Sequence, residues 1–225
     1  MKRIAVPLHR FTTSNQNIIV GMPLYKQVSV SWLYNWMLMD KENVQGLVST
    51  NGVYIPMAMD AITKTAKQKY TNWEWLVVME HDMVVPTDAF NRLAHYGDEH
   101  DIVGAAYVMH EPPHKLMAFV RRGEKFEVFS PERAKEVVDK PGLYECDGVP
   151  MGFTAIRRRV FDNWNPDVPM WQPTAEMPGH DIHFCNEARK QGFRIWLDTT
   201  IQPGHLTEMS IDYSHNTEGI GVSRL

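Results

Sequence analysis

The sequence lacks any long hydrophobic run. Its 225 residues contain no apolar stretch close to the roughly 20 residues needed to span a bilayer. The first residues include Lys2 and Arg3, but only a short, proline-broken apolar segment follows them. We therefore expect neither a membrane span nor an export signal. With 44% hydrophobic residues, the chain has enough apolar surface to form one large domain over residues 1–225.

Cysteine is scarce as well. Cys146 and Cys185 are too few for a disulfide framework and too isolated for a zinc site. We interpret them as buried or idle thiols without a chemical role. The cytoplasm is then the expected compartment.

Positive charge is not in excess either. The 23 Lys and Arg residues are outnumbered by 27 Asp and Glu residues, which gives a formal net charge of -4 and a pI near 6.2. A broad electrostatic grip on nucleic acid needs clustered Lys and Arg, so this class of partner is disfavoured. A mildly acidic protein usually holds phosphate through a divalent cation that its carboxylates bind.

What the sequence does contain is an alternation of strand and helix patterns. Short apolar runs bounded by Gly and Pro predict strands, and apolar residues spaced by four, three and four positions from Ile55 to Ala66 predict a helix. This rhythm predicts an α/β fold with a mixed, mostly parallel central sheet and helices on both faces. The predicted strands are 17–23, 44–49, 75–79, 101–107, 151–157 and 193–198, and the predicted helices are 27–40, 55–66, 86–95, 158–164 and 181–191.

Three regions are less regular. Residues from about 110 to 140 show no sustained period, and we expect loops, a hairpin and one short helix there. A proline-rich loop is predicted from Asn165 to Gly179. We expect about 206–225 to form a polar, mobile tail.

Two acids stand directly behind the most apolar predicted strand. Glu80-His81-Asp82 follows the run Trp75 to Met79. Ligands of open α/β sheets collect outside the carboxyl ends of the strands. Acids at such an end favour a site for a hard cation and the phosphates it binds.

Two further polar residues lie at element ends. Asp181 begins a helix pattern whose apolar residues lie three, four and seven positions later, so its carboxylate is on the inward face. It is either a general base or a cap of the first helical turn. His205 follows the predicted strand that ends at Asp198, where it is either functional or a hydrogen-bonded surface residue.

The order of these features resembles the GT-A glycosyltransferases of the family 2 type, in particular compact single-domain members often encoded by bacteriophages and other viruses. In that family an acidic strand end carries the D-x-D metal motif, which appears here as Glu80-His81-Asp82. A later helix start carries the E-D motif, which appears here as His180-Asp181. The segments Phe184 to Asp198 and Asp147 to Phe153 also resemble the family's. If a phage encodes the chain, the expected compartment is the host cytoplasm.

The resemblance, which spans roughly residues 17–206, implies a donor site. Asp82 would hold Mn²⁺ or Mg²⁺ against the diphosphate with Glu80 assisting, and His205 would be a further metal ligand. The first acid is Glu rather than Asp, so the alternative expectation is that its longer arm reaches the ribose or a metal-bound water. The implied donor-binding residues are Pro23, Leu24, Tyr25, Glu80, Asp82 and Gly152.

The resemblance also implies an acceptor side. Asp181 would deprotonate the acceptor hydroxyl, and His180, which replaces the family's Glu, would lie beside the acceptor. Trp171, in the predicted proline-rich loop, is expected either to contact the acceptor or to belong to the core. Arg157-Arg158-Arg159 could bind phosphate, but successive side chains point in different directions on a helix, so we interpret the three as structural.

The activity implied is a metal-dependent transfer of a sugar from a nucleotide-diphosphate sugar, with UDP favoured, to an acceptor hydroxyl. The acceptor could be a glycan, protein, lipid or modified nucleic acid. Inversion with Asp181 as general base is expected. Two alternatives stay open: a sugar-phosphate nucleotidyltransferase, and a non-catalytic module that binds a nucleotide sugar or a glycan.

Overall fold

The structure is a computed structural model that describes residues 3–4, 17–25, 27–93, 96–123, 125–175, 177, 179–207, 209–212 and 221–224. The strands are β1 (Arg3–Ile4), β2 (Ile18–Leu24), β3 (Val44–Asn51), β4 (Trp75–Met79), β5 (Met83–Val84), β6 (Ile102–Ala105), β7 (Phe119–Arg122), β8 (Lys125–Val128), β9 (Leu143–Cys146), β10 (Phe153–Arg157), β11 (Ile195–Asp198), β12 (Gly204–His205), β13 (Met209–Asp212) and β14 (Gly221–Arg224). The helices are α1 (Val30–Leu38), α2 (Ile55–Lys69), α3 (Ala89–Leu93), α4 (Pro131–Asp139), α5 (Arg158–Asp162) and α6 (His180–Lys190). None of the helices among these residues combines the length and apolar character that a membrane crossing requires.

A central sheet of eight strands organises the fold. Its order is β1-β9-β11-β6-β10-β4-β2-β3. The pairs β2–β3, β2–β4 and β6–β11 are parallel, whereas β9 and β10 run against their neighbours. Six strands therefore share one direction and two oppose it. This arrangement confirms the predicted mixed, mostly parallel sheet.

Helices cover both faces of this sheet, as predicted. Successive side chains of a strand point to opposite faces, so Leu76 and Val78 pack with α2 and α6, while Trp75 and Val77 pack with α1 and α3. Every residue of β4 is buried, because both of its faces are covered. This double coverage explains why its sequence is continuously apolar rather than alternating.

The sequence-based elements differ from the structure mainly in the second half. The hairpin and short helix expected between residues 110 and 140 are β7–β8 and α4. Strand β9 was not predicted, although it lies between β1 and β11 in the central sheet. It is only four residues long, and its burial depends on strands distant in sequence. Half of the residues 206–225, which are predicted to form a mobile tail, lie outside the described residues. Among the described ones, Met209–Asp212 and Gly221–Arg224 form the β13–β14 pair.

One edge of the sheet gathers the polar residues that matter below. The carboxyl ends of β4, β6 and β11 lie at this edge, together with the amino end of the antiparallel β10. A backbone hydrogen bond from Glu80 N to Gly152 O (2.9 Å) joins the exit of β4 to the approach to β10. Residues distant in sequence therefore meet at one place.

Candidate active site

Asp82 and His205 face each other at this edge. The two-residue strand β5, which follows Asp82, pairs antiparallel with β12, which contains His205. Leu206 N donates a hydrogen bond to Asp82 O over 2.7 Å and holds the two short strands together. As a result, His205 Nε2 lies 3.3 Å from Asp82 Oδ2, and His205 Nδ1 lies 3.0 Å from the carbonyl oxygen of Val108.

This pairing favours the charged form of both side chains. Burial alone would raise the pKa of Asp82, but the hydrogen bond from His205 and the charges of His205 and His81 outweigh it and hold the pKa below its ordinary value. The hydrogen bond to Asp82 raises the pKa of His205, against the opposing effect of burial. The rings of Tyr107 and His110 pack edge to face on His205, with centroids 5.4 Å and 4.9 Å away.

Glu80 is held by its backbone on two sides. Its amide donates to Gly152 O, and its carbonyl accepts a hydrogen bond from Trp32 Nε1 over 3.0 Å. Burial raises the pKa of its carboxyl to about 8, and the negative charges of Asp82 and Asp181 add to the shift. Three carboxyl groups therefore influence one another here, and the charge of His205 opposes part of the shift of Glu80.

Gly152 is required by a close approach to Tyr107. A Cβ at this position would lie 2.4 Å from Tyr107 Oη, which accepts a hydrogen bond from Gly152 N over 2.9 Å. Burial raises the pKa of Tyr107 well above its ordinary value, and the charge of Glu80 adds to this. Tyr107 was not among the predicted site residues; its place at the end of the predicted strand 101–107 was the available signal.

The amino end of α6 supplies Asp181. Gly179 is the N-cap residue and offers no side chain, and Asp181 Oδ1 accepts a hydrogen bond from Ile182 N over 2.8 Å. This contact satisfies one amide of the first turn, as a capping carboxylate does. Burial lowers the pKa of the neighbouring His180, whose Nε2 has no hydrogen-bond partner among the described residues.

A cavity of about 490 Å³ opens beside Asp82. Tyr25, one of the predicted nucleotide-contacting residues, lies on its wall and is 47% exposed. Pro23 is buried within β2, and Leu24 packs partly into the core. The lining residues are Tyr25, Gln27, Val28, Ser29, Ser31, His81, Asp82, Leu206 and Thr207.

Trp171 does not fit the expectation of an acceptor contact. Its side chain is fully buried, its ring stacks on Phe184 at 4.3 Å between centroids, and its Nε1 donates to Thr63 Oγ1 over 3.2 Å. The ring therefore has no exposed face to offer to an acceptor. The loop is present as predicted, but it delivers this indole to the core, because a large aromatic ring gains most from burial.

The residues at the sheet edge fit a divalent cation. Asp82 Oδ1 is buried without a hydrogen-bond partner among the described residues. In the neutral form of His205 whose Nδ1 donates to Val108 O, Nε2 carries a lone pair in place of the proton that it otherwise gives to Asp82, and this is the usual arrangement of a metal-binding histidine. Within the described ranges, no three His, Cys, Asp or Glu side chains form a complete cage. A cation held here would therefore need further ligands from a bound molecule.

Comparisons with known proteins bear on the family and the fold of the chain. The family model described as glycosyltransferase like family 2 matches residues 39–208. No curated protein sequence matches the chain significantly. A197 from STIV has a similar structure, with 16% identity and a TM-score of 0.61 over 85% of this chain and 86% of that chain.

A second similar structure is GalNAc-T7 with UDP, GalNAc and Mn²⁺, with 10% identity and a TM-score of 0.57 over 84% of this chain and 43% of that chain. The chain thus spans less than half of that relative. At these low sequence identities, the two similarities show only that the chain shares its fold with these proteins. The family model, however, covers well over half of the chain, so the chain belongs to the glycosyltransferase like family 2 and is a glycosyltransferase with the GT-A fold.

Proposed function

We propose that the protein transfers a sugar from a nucleotide-diphosphate sugar, with UDP as the favoured nucleotide, to an acceptor hydroxyl, and that it needs Mn²⁺ or Mg²⁺ to do so. The observation that carries the proposal is the unpartnered, buried Asp82 Oδ1 beside His205, at the wall of a cavity of about 490 Å³. A cavity of this size falls in the range of small-molecule sites. The GalNAc-T7 structure, which holds UDP and Mn²⁺, is consistent with the choice of nucleotide.

The donor would occupy the cavity next to Asp82. Tyr25 presents a half-exposed aromatic ring on the wall, suited to stack on the nucleotide base, and Pro23 and Leu24 would support it from behind. Asp82 and His205 would hold the cation, with Glu80 assisting. When bound, the cation would neutralise the charge that grows on the departing diphosphate.

Gly152 would serve the donor side through its backbone. Its carbonyl fixes the Glu80 amide, and its lack of a side chain leaves room for Tyr107 beneath the carboxyl groups. A larger residue would push Tyr107 toward Glu80 and disturb the region where the donor phosphates would lie. The role of Gly152 is therefore to position the acids.

Asp181 would act as the general base toward the acceptor, and His180 would lie beside it. Asp181 is half-buried in the first turn of α6, and its charge acts on Glu80, so it lies near the proposed donor phosphates. A carboxylate that takes the proton from an attacking hydroxyl gives in-line displacement, and hence inversion at the anomeric carbon. The capping contact to Ile182 N holds the carboxylate in one orientation.

A thermal-shift panel with UDP-, GDP-, CMP- and dTDP-sugars, with and without Mn²⁺, tests the proposal on the natural chain and on Asp82→Ala and Asp181→Asn. A donor at about 100 times its Kd adds about 2.7 kcal/mol to the free energy of unfolding. We expect a Mn²⁺-dependent shift with UDP-sugars that Asp82→Ala abolishes. Asp181→Asn should keep the shift but lose roughly 10²- to 10⁴-fold in turnover, measured as donor hydrolysis.

The same samples test the stereochemistry. NMR of the freshly released sugar should show the anomeric configuration opposite to that of the donor. A retained configuration, a shift that ignores Mn²⁺, or no shift with any of the donors would contradict the proposal.

A further inference from the structure

The outer side of α1 is an exposed apolar surface. Val30, Leu33, Tyr34, Met37 and Leu38 are 84%, 46%, 63%, 70% and 55% exposed. They follow the spacing of one helix face, which ordinarily packs into a core. In this helix that face points to solvent.

The inner side of α1 is firmly fixed, so the helix cannot simply turn to bury its outer side. Trp32 is 4% exposed and donates from Nε1 to Glu80 O. The Asn35 side chain donates to Val85 O over 2.8 Å and accepts from Val85 N over 2.9 Å. The apolar outer side is therefore a stable feature of the surface.

Leu47 is a further exposed apolar residue, on strand β3 of the sheet. It lies opposite Val20 in the β2–β3 register, so it points to the same face of the sheet as α1, and it is 44% exposed. Since fully exposed aliphatic and aromatic residues present roughly 150–230 Å² each, the six residues together expose roughly 650 Å². That is above the usual apolar patch of a monomer and close to the roughly 800 Å² that each partner buries in a specific interface.

The surface carries no charge. The nine residues of α1 and the eight residues of β3 include no Asp, Glu, Lys or Arg, although 22% of the chain is charged. Helices that lie on membranes are typically rich in Lys and Arg, and α1 has none, while the whole chain has a net charge of -4. An uncharged apolar face can instead meet an identical face without like-charge repulsion, as a two-fold contact requires.

We infer that α1 and Leu47 form the contact between two copies of this chain in a two-fold symmetric dimer. In such an isologous contact the same surface of both copies meets across the two-fold axis. Tyr34, at the middle of α1, lies nearest this axis. Ser29 and Ser31, which line the cavity beside Asp82, belong to the cap and first turn of the same helix. The dimer contact therefore lies directly behind one wall of the proposed donor site, but it does not depend on the proposed function.

Sedimentation and light scattering over a concentration series test the dimer. The natural chain should have twice the monomer mass of 26.0 kDa at micromolar concentration. Met37→Asp should weaken the dimer at least tenfold, because it places a charge in the contact. Val138→Asp is the matched control, since Val138 is an apolar helix residue of α4 that is 41% exposed, and it should leave the dimer unchanged.

A cysteine cross-link gives a second, independent measurement. The natural Cys146 and Cys185 are buried, so Tyr34→Cys adds an accessible thiol that should form a disulfide-linked dimer under mild oxidation, whereas Val138→Cys should not. A natural chain that stays monomeric at all concentrations overturns the inference. So does a monomer that sediments with neutral phosphatidylcholine vesicles and loses this binding in Met37→Asp, because α1 is then a lipid-binding face.

Discussion

At the scale of single residues, His100 shows how burial controls a proton. It is 3% exposed, and its ring packs on Tyr96 and Trp196 with centroids 5.5 Å and 5.0 Å away. Its Nδ1 lies 3.3 Å from Gly97 O, while its Nε2 is buried without a hydrogen-bond partner among the described residues. A second proton on Nε2 would thus be buried without an acceptor.

The pKa of His100 is accordingly lowered. Burial is the main cause, and the positive charges of Arg194 and Arg157 contribute, while the carboxylate of Glu99 and the hydrogen bond to Gly97 oppose the shift. The unfolded chain, with a histidine pKa near 6.5, then binds the proton more readily than the folded protein does. The stabilising effect is complete above this pH and is lost as the pH falls through 6.5 toward the folded pKa.

We predict that the natural chain loses more stability than His100→Asn when the pH falls from about 7.5 to 5.5. The difference should be at most about 1.4 kcal/mol, because pH 5.5 lies only about one unit below the unfolded pKa. Asn retains a donor near the position of Nδ1 but cannot titrate in this range. Urea unfolding at several pH values measures the difference, and equal pH slopes for the two proteins would refute the prediction.

The site residues differ in how far the local sequence determines their positions. The position of Glu80-His81-Asp82 at the exit of β4 was predictable because these residues directly follow an apolar run, and ligands bind at the carboxyl ends of strands in such sheets. Tyr107 was not selected, and the choice between an acceptor contact and the core stayed open for Trp171, because both positions depend on packing against distant residues. Tyr107 packs against Gly152, and Trp171 packs against Phe184. The sequence around one residue holds no information on contacts with residues that are distant in sequence.

At the scale of elements, α1 joins the core to the proposed donor cavity. Asn35 ties its middle to Val85 through two hydrogen bonds, just after β5. Ser29 caps the helix by accepting a hydrogen bond from Trp32 N, and with Ser31 it lines the cavity. A change in the seating of this helix is therefore transmitted to the cavity wall.

We predict that Asn35→Ala lowers the free energy of unfolding by about 1–3 kcal/mol, because it leaves the buried Val85 amide and carbonyl without partners. It should also weaken donor binding several-fold by loosening the cavity wall. Calorimetry of UDP binding and urea unfolding measure the two effects. Asn163→Ala, which removes an exposed hydrogen bond to Arg159 O of α5, is the control and should leave donor affinity unchanged. Unaltered UDP affinity in Asn35→Ala would disprove the coupling.

The elements themselves were predicted where one segment carries its own pattern. β4 was predicted with its bounds, and the stripe from Ile55 to Ala66 identified α2. α3 begins at Ala89 rather than at the predicted residue 86, and β9 was missed. Both are short elements that packing stabilises more than their own sequence does, so propensity alone could not define them.

At the scale of the whole molecule, the sheet separates chemistry from stability. The acids and His205 gather at the carboxyl ends of the parallel strands, whereas Arg157, at the far end of the antiparallel β10, lies at the opposite edge. Its Nη2 donates to Tyr96 O over 2.5 Å and to Gly97 O over 3.1 Å, and its Nη1 pairs with Glu74 at 3.1 Å. Its guanidinium also stacks over the Trp75 ring at 4.2 Å.

This geometry supports the structural interpretation of the arginine run. Arg157 is 8% exposed, Arg158 pairs with Asp162, and Arg159 pairs with Asp101 over 2.7 Å. The three side chains bind carboxylates and carbonyls at the edge away from the cavity. They hold the strand ends of β4, β6 and β10 together rather than a phosphate.

We predict that Arg157→Lys destabilises the protein by about 2–3 kcal/mol, because a lysine ammonium cannot reproduce the forked hydrogen bonds to two carbonyls and a carboxylate. Its affinity for UDP should stay within about twofold of the natural value, since the change lies at the opposite edge of the sheet. Arg122→Lys, at a 71% exposed arginine that pairs with Glu127, should change stability by no more than about 0.5 kcal/mol.

Asp82→Ala should show the reverse pattern, with UDP and Mn²⁺ binding lost and stability nearly retained. Urea unfolding and calorimetry on the same four proteins distinguish the two edges. If Arg157→Lys lost donor binding at temperatures where it remains folded, the sheet would transmit changes from one edge to the other. Stability and donor binding would then not be separate. We expect donor binding to be retained instead, because the central sheet is rigid. The buried β4 pairs with a neighbouring strand on each side, so loosening at the Arg157 edge should stay local and not reach the cavity.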